Sequence, residues 1–247
     1  MIILRVHQWG VNEIYAFKKY SAIEKTIVCY DLTGENVPPV KNDFLRLDID
    51  RNWLINTGLN ISCDKLSWRC GDYSFYRVFD DYPDEEYYWI IEPDVLINFV
   101  DPMVFFNEIS KFKSDFLGLM YGPRGEDWYW HKMIRQFYPN QSIFGCSFGV
   151  VRLSQIAVKE LYIKRVAFAK MIGDIPPQFW PNDESFVVNT LLDYKLNLKN
   201  FNDVLNNVSS YSTYWINKSK GWHEFDEISS IPDNKIYHPV RGFTLEK

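Results

Sequence analysis

The chain has 247 residues, of which 47% are hydrophobic and 24% charged, and this ordinary globular usage excludes a disordered, collagen-like or disulfide-dominated protein. At this length roughly three quarters of the unfolded surface can be buried, and no repeat or Pro/Gly/Ser linker divides residues 1–247, so one domain is expected. The 27 basic and 32 acidic residues leave a net charge of -5 with no basic run, so no nucleic acid is expected as a partner.

Apolar runs bounded by turn signals alternate with segments of helical period, the pattern of an α/β fold with a mostly parallel central sheet flanked by helices. Strands are predicted over residues 2–7 and 26–30, the second closing at Asp31. Residues 71–79 read as a helix with Tyr73, Tyr76 and Phe79 along one side. Tyr-Tyr-Trp-Ile-Ile at residues 87–91 is a continuous apolar run typical of a central strand buried on both faces, and it stops abruptly at Glu92-Pro93-Asp94. After a short apolar piece at 95–97, Asp101 as N-cap and Pro102 at the first helical position open a helix to about residue 113.

A strand over 115–120 is followed by an irregular stretch, 121–138, that contains Trp128, Tyr129 and Trp130. The next strand covers 143–153, and Ser154 caps a long helix in which Ala157, Leu161, Phe168 and Ile172 recur at helical spacing. Pro176, Pro177 and Pro181 stiffen the loop before a helix that starts near Asn182-Asp183-Glu184 and turns Val187, Leu191 and Tyr194 inward. The chain then runs in short polar and aromatic pieces to Tyr237-His238-Pro239-Val240.

Cys29, Cys63, Cys70 and Cys146 have no zinc or redox spacing, which fits reduced thiols in a cytosolic protein. The first apolar stretch is too short for a signal peptide, and no run of about 18 apolar residues occurs. A cytoplasmic protein without a transmembrane segment is therefore expected, with peripheral association at the inner face of a membrane left open. Aromatic residues reach 17%; they suit a ring-rich core, and they equally suit contact with the C–H faces of sugars. The segment Trp128-Tyr129-Trp130, with Arg124, Glu126 and Asp127 beside it in a loop, is the candidate for contact with a sugar, with local packing as the other reading.

Glu92-Pro93-Asp94 is the most informative triplet. Ligands of open α/β sheets bind at the carboxyl ends of the strands, and two carboxylates crowded there repel each other unless a cation lies between them. Hard oxygen ligands suit Mg²⁺ or Mn²⁺, which take one or two carboxylates together with substrate phosphates; a solvated strand-end turn is the plainer alternative. Gly71 at a helix start lets a ligand approach the backbone N–H groups. No Walker loop, dinucleotide-binding glycine motif or Gly-x-Ser-x-Gly elbow is present, which excludes the common ATPase, dehydrogenase and serine-hydrolase designs.

Residues 87–95, Tyr-Tyr-Trp-Ile-Ile-Glu-Pro-Asp-Val, resemble the Asp-x-Asp-type signature of nucleotide-sugar glycosyltransferases of the GT-A fold. Within these the segment is most similar to the Tyr-Trp-Arg-Val-Glu-Pro-Asn-Val stretch of the fungal α-mannosyltransferases, with isoleucine in place of the arginine. The resemblance implies that Glu92 and Asp94 hold Mn²⁺ or Mg²⁺ and the sugar-nucleotide diphosphate, and that His238 completes the metal shell. It implies further that Asp31, Arg69, Asp72 and Tyr73 bind the nucleotide, and that an acid at the Asp183-Glu184 helix start faces the acceptor. Glu184 is the first choice for that role, because Asp183 is the better helix cap.

The function expected is a metal-dependent hexosyl-type glycosyltransferase moving a sugar from a nucleotide-sugar donor to a carbohydrate or glycolipid acceptor, as in surface polysaccharide assembly. A metal-dependent hydrolase or nucleotidyltransferase using the same carboxylates, and a non-catalytic carbohydrate-binding domain, are the alternatives.

Overall fold

The computed structural model describes residues 1–34, 44–62, 66–171, 177–214 and 221–244. Cys63, Ile172 and Pro176 lie outside them.

The first apolar run forms β1 (Ile2–Val6), α1 (Val11–Ser21) crosses over it, and β2 (Thr26–Asp31) returns parallel beside β1. The short β3 (Arg46–Ile49) pairs parallel with β2 and leads to α2 (Arg51–Thr57), capped by the Asp50 carboxylate on Trp53 N–H. Next come α3 (Leu66–Arg69) and α4 (Tyr73–Asp81), the latter carrying the predicted row of aromatic residues. The run ahead of the acidic turn is β4 (Tyr87–Ile91), which pairs parallel with β1 as expected of a buried central strand.

Past the acidic turn lie β5 (Leu96–Asn98) and α5 (Pro102–Ser110), the helix capped by Asp101 on Met103 N–H as its sequence predicts. The strand β6 (Phe116–Pro123) runs three residues beyond its predicted end; its register shifts past Gly118, and Met120 there takes a positive φ of 56°. Residues 121–138 are consequently less irregular than expected, since Tyr121 to Pro123 belong to β6 and His131–Arg135 form the short α6. Then follow β7 (Phe144–Ser154) and the long α7 (Gln155–Met171), which Ser154 caps by accepting from Ala157 N–H.

A 3₁₀ turn (Pro177–Phe179) precedes α8 (Asp183–Asp193), in which Val187 and Leu191 are buried while Tyr194, expected inward, is 38% exposed at the C-cap. The remainder comprises β8 (Leu198–Asn200), α9 (Phe201–Val204), α10 (Tyr211–Tyr214), β9 (His223–Glu224), α11 (Phe225–Ser229), β10 (Lys235–Tyr237) and β11 (Val240–Arg241).

The central sheet has seven strands in the order β3-β2-β1-β4-β7-β6-β8. Among the described residues β7 alone runs against the others, so this is the mostly parallel α/β sheet expected from the sequence. Because successive side chains alternate, Ile3, Cys29 and Ile90 enter a core under α4, α7 and α8. Ile2, Leu4, Val28, Trp89 and Ile91 enter a second core under α1 and α5. The chain leaves β1 toward β2 and β3, then returns to the other flank of β1 with β4. The carboxyl ends of β1 and β4 therefore border a topological switch point, where ligands of open sheets bind.

Candidate active site

The acidic turn leaves β4 at this switch point. Glu92 N–H donates to the Gly149 carbonyl (2.8 Å) and Val95 N–H to the Glu92 carbonyl (3.0 Å), so the backbone of the turn is tied to β7 and to itself. His238 arrives from far along the chain because β10 pairs antiparallel with β5, placing Tyr237 opposite Leu96. Val240 N–H then donates to the Asp94 carbonyl (2.8 Å). His238 Nε2 consequently lies 3.3 Å from Glu92 Oε2 and 3.5 Å from Asp94 Oδ1, and the three side chains offer ligand atoms within 4.8 Å of one another.

The imidazole packs on the Tyr214 ring with the centroids 4.9 Å apart and the planes tilted by 31°, and the Tyr214 backbone beside it favours the protonated form. Burial pushes its pKa below the ordinary histidine value, against the pull of Asp94 and Glu184. A neutral imidazole beside two carboxylates is a donor set suited to a divalent cation that accepts oxygen and nitrogen. The surrounding packing is close: a Cβ at Gly149 would lie 2.3 Å from the Tyr214 hydroxyl and 3.2 Å from Glu92 Oε2, so only glycine fits there.

Across the switch point stands the start of α8. The helix is capped by Asn182, whose side chain accepts from Ser185 N–H (3.2 Å), which corrects the expectation that Asp183 is the cap. Asp183 is instead turned inward and buried, accepting from Gly71 N–H (2.9 Å) and Arg5 Nη1 (3.3 Å). Burial pushes its pKa up to about 8 despite the nearby Arg5 charge. Glu184 lies nearer the surface and accepts from Asn182 Nδ2 (3.3 Å). Its carboxyl is also raised by burial, while Asn182, Arg124 and a hydrogen bond from the Trp130 indole pull it down. Burial likewise holds the Cys146 thiol well above its ordinary value, so Cys146 stays protonated and is no nucleophile.

Arg5 escaped the sequence reading. One arm of its guanidinium pairs with Glu92 and the other with Asp183, so it joins the acidic turn to the start of α8. The signal was available, since a single cation near the carboxyl end of the buried run Ile-Ile-Leu-Arg-Val needs a partner there.

Four other candidates have different surroundings from those expected. Asp72 is wholly buried and grips Arg165 of α7 bidentately, Oδ2 to Nε at 2.7 Å and Oδ1 to Nη2 at 3.0 Å, while also accepting from Tyr76 Oη. It is therefore a core group with no surface to offer a nucleotide. Tyr73 is buried in the same core. Arg69 is buried and donates to the carbonyls of Gln178 (2.9 Å) and Trp180 (3.4 Å), fastening the 3₁₀ turn. Trp130 is 6% exposed and packs on Trp68 at 5.3 Å; its ring belongs to the wall behind Glu184 and not to an open loop. Trp128 is partly buried against β7, at the spot where a Cβ on Gly145 would strike it, whereas Tyr129 is 65% exposed. Asp31 lies at the carboxyl end of β2, accepting from Thr33 N–H (2.8 Å) and Oγ1 (2.6 Å).

No protein family and no curated protein matches the chain. Among solved structures, it is similar to mouse xyloside xylosyltransferase 1 in its apo form, with 11% identity over 96% of this chain and 96% of that one, at a TM-score of 0.48. It is similar also to the galactosyltransferase LgtC in complex with donor and acceptor sugar analogs, with 8% identity over 81% of this chain and 72% of that one, at 0.43. A third likeness, to the inositol-1-phosphate CTP transferase of T. maritima, has 10% identity over 81% of this chain and 84% of that one, at 0.39. At these identities the likeness is one of overall shape alone.

Proposed function

We propose that the chain, acting as one unit over residues 1–247, is a metal-dependent glycosyltransferase that moves a sugar from a nucleotide-sugar donor to a carbohydrate or glycolipid acceptor. The observation that carries this reading is the cluster of Glu92, Asp94 and His238 at the carboxyl end of β4, facing Asp183 and Glu184 across the switch point. Glu92, Asp94 and His238 would hold Mn²⁺ or Mg²⁺, and the bound cation would neutralise charge on the leaving diphosphate. Glu184, raised by burial and nearer the surface, is suited to hold or accept a proton at the acceptor hydroxyl. Tyr129 and the edge of Trp128 offer rings for the acceptor, and Asp31 is placed for the nucleoside. The Glu-Pro-Asp turn resembles the Glu-Pro-Asn of the fungal α-mannosyltransferases, with an acid in place of the asparagine, which makes GDP-sugars one class of donor to test.

A role in surface polysaccharide assembly by a cytoplasmic, membrane-peripheral enzyme belongs to the same proposal. No described helix is long and apolar enough to cross a membrane. A nucleotidyltransferase would use the same carboxylates but would bind a nucleoside triphosphate with a sugar phosphate. Calorimetric titration with UDP-, GDP- and CMP-sugars, with and without Mn²⁺, tests the reading: one diphosphate sugar should bind, and only with the cation. Tight sugar binding that ignores both nucleotide and cation would instead favour a carbohydrate-binding domain.

A further inference from the structure

The geometry points to Arg5 as the positioning residue of Glu92, fixing which carboxylate oxygen faces the cation, an inference that rests on the metal reading above. The strand register brings it there. Leu4 lies opposite Ile91, so one further residue along both parallel strands sets Arg5 beside Glu92 at the switch point. Arg5 takes Glu92 Oε1, and this leaves Oε2 turned toward His238 Nε2 at 3.3 Å. A free glutamate rotates about its last torsion and presents either oxygen in any orientation. With one oxygen anchored, the other is held in the ligand set before any cation arrives, the role that partners of ligating carboxylates serve in metal sites.

The guanidinium is itself held at its other end. Its Nη1 reaches Asp183 Oδ2 (3.3 Å), and the same oxygen accepts from Gly71 N–H (2.9 Å). It lies so close over the Gly71 backbone that a Cβ there would stand 1.5 Å from Nη1 and 2.7 Å from Cζ. Glycine at the entrance to α4 therefore makes room for the arginine, and an alanine would have to push it away. A lysine, with one point charge, cannot hold two carboxylates in the fork geometry that arginine supplies.

The opposite reading of the same contact is that Arg5 merely occupies Glu92 as a counter-ion that the cation must displace. The two differ in sign. Titration calorimetry with MnCl₂ alone is the test, on the wild-type chain and on Arg5→Met, Arg5→Lys, Gly71→Ala and Asp94→Asn. If Arg5 positions Glu92, Arg5→Met weakens Mn²⁺ affinity by about 10- to 100-fold, Arg5→Lys recovers part of it, and Gly71→Ala weakens it with the charge still present. Should Arg5→Met fail to fold, as judged by circular dichroism, Arg5→Lys and Gly71→Ala still decide. Mn²⁺ affinity unchanged within about twofold, or tighter, in the folded variants overturns the proposal while leaving the metal site standing. A folded wild-type chain that takes up no Mn²⁺, like Asp94→Asn, overturns the metal reading itself.

Discussion

Asp183 and Glu184 are adjacent in sequence yet face different surroundings, and each makes a separate prediction. Glu184→Gln keeps the shape and removes the ionisable oxygen, so kcat should fall by about 10² with donor affinity retained, as measured by initial rates and calorimetry. A variant with wild-type kcat would remove Glu184 from the chemistry. For Asp183 the folded pKa, about 8, lies well above the ordinary value of an aspartate in an unfolded chain. The folded state therefore holds this proton more tightly than the unfolded one. The stability this proton provides is complete below the unfolded pKa and is lost as pH rises toward about 8. Metal-free urea denaturation at pH values between these limits should show the wild type losing stability with rising pH relative to Asp183→Asn; parallel profiles would refute the shift. The rings separate in the same way. Trp130→Ala should cost roughly 3 kcal/mol, since it empties a core position, whereas Tyr129→Ala on the surface should leave the melting temperature nearly unchanged.

Single elements hold these residues in place, and they explain what was legible beforehand. A continuous apolar run broken by two acids marks its own strand and its own end, so Glu92 and Asp94 were readable as a pair at a carboxyl edge. His238 was readable by its order in the chain, but the cause of its arrival, the pairing of β10 with β5, depends on short strands that carry little periodic signal. Asp72 looked like a free charge at a helix start because its partner, Arg165, is 93 residues away on α7. Arg69 and Trp130 were misplaced for the same reason, each finding its neighbours on a distant segment. Sequence alone does not separate Asp183 from Asn182 as the cap, because the two residue types cap equally well. The Asp72 to Arg165 pair joins α4 to α7 inside the core, and removing one partner strands a buried charge. Asp72→Ala should therefore destabilise the protein by about 3–5 kcal/mol in chemical denaturation; a cost under about 1 kcal/mol would mean that water reaches Arg165.

Across the whole molecule, the order β2-β1-β4 in the sheet sets the carboxylates Glu92 and Asp94 opposite the start of α8, where burial raises the pKa of both Asp183 and Glu184, with Arg5 as the cation joining Glu92 to Asp183. Negative charge at the acidic turn disfavours a diphosphate on its own, because like charges repel most strongly where water is partly excluded. A divalent cation at Glu92, Asp94 and His238 reverses the local sign, so cation and nucleotide should bind as a linked pair. Ligand that binds the folded state raises its stability by about 2.7 kcal/mol at a concentration 100 times the dissociation constant. For a chain of this size that corresponds to a rise in melting temperature of roughly 5–10 °C. Mn²⁺ together with the cognate nucleoside diphosphate should produce such a rise, and the nucleotide alone should produce little. Asp94→Asn should abolish the joint effect, whereas Glu184→Gln, on the acceptor side, should keep it. A nucleotide shift that is equally large without Mn²⁺ would show that phosphate recognition runs through other groups, and a larger shift with a nucleoside triphosphate and a sugar phosphate would move the assignment to nucleotidyl transfer.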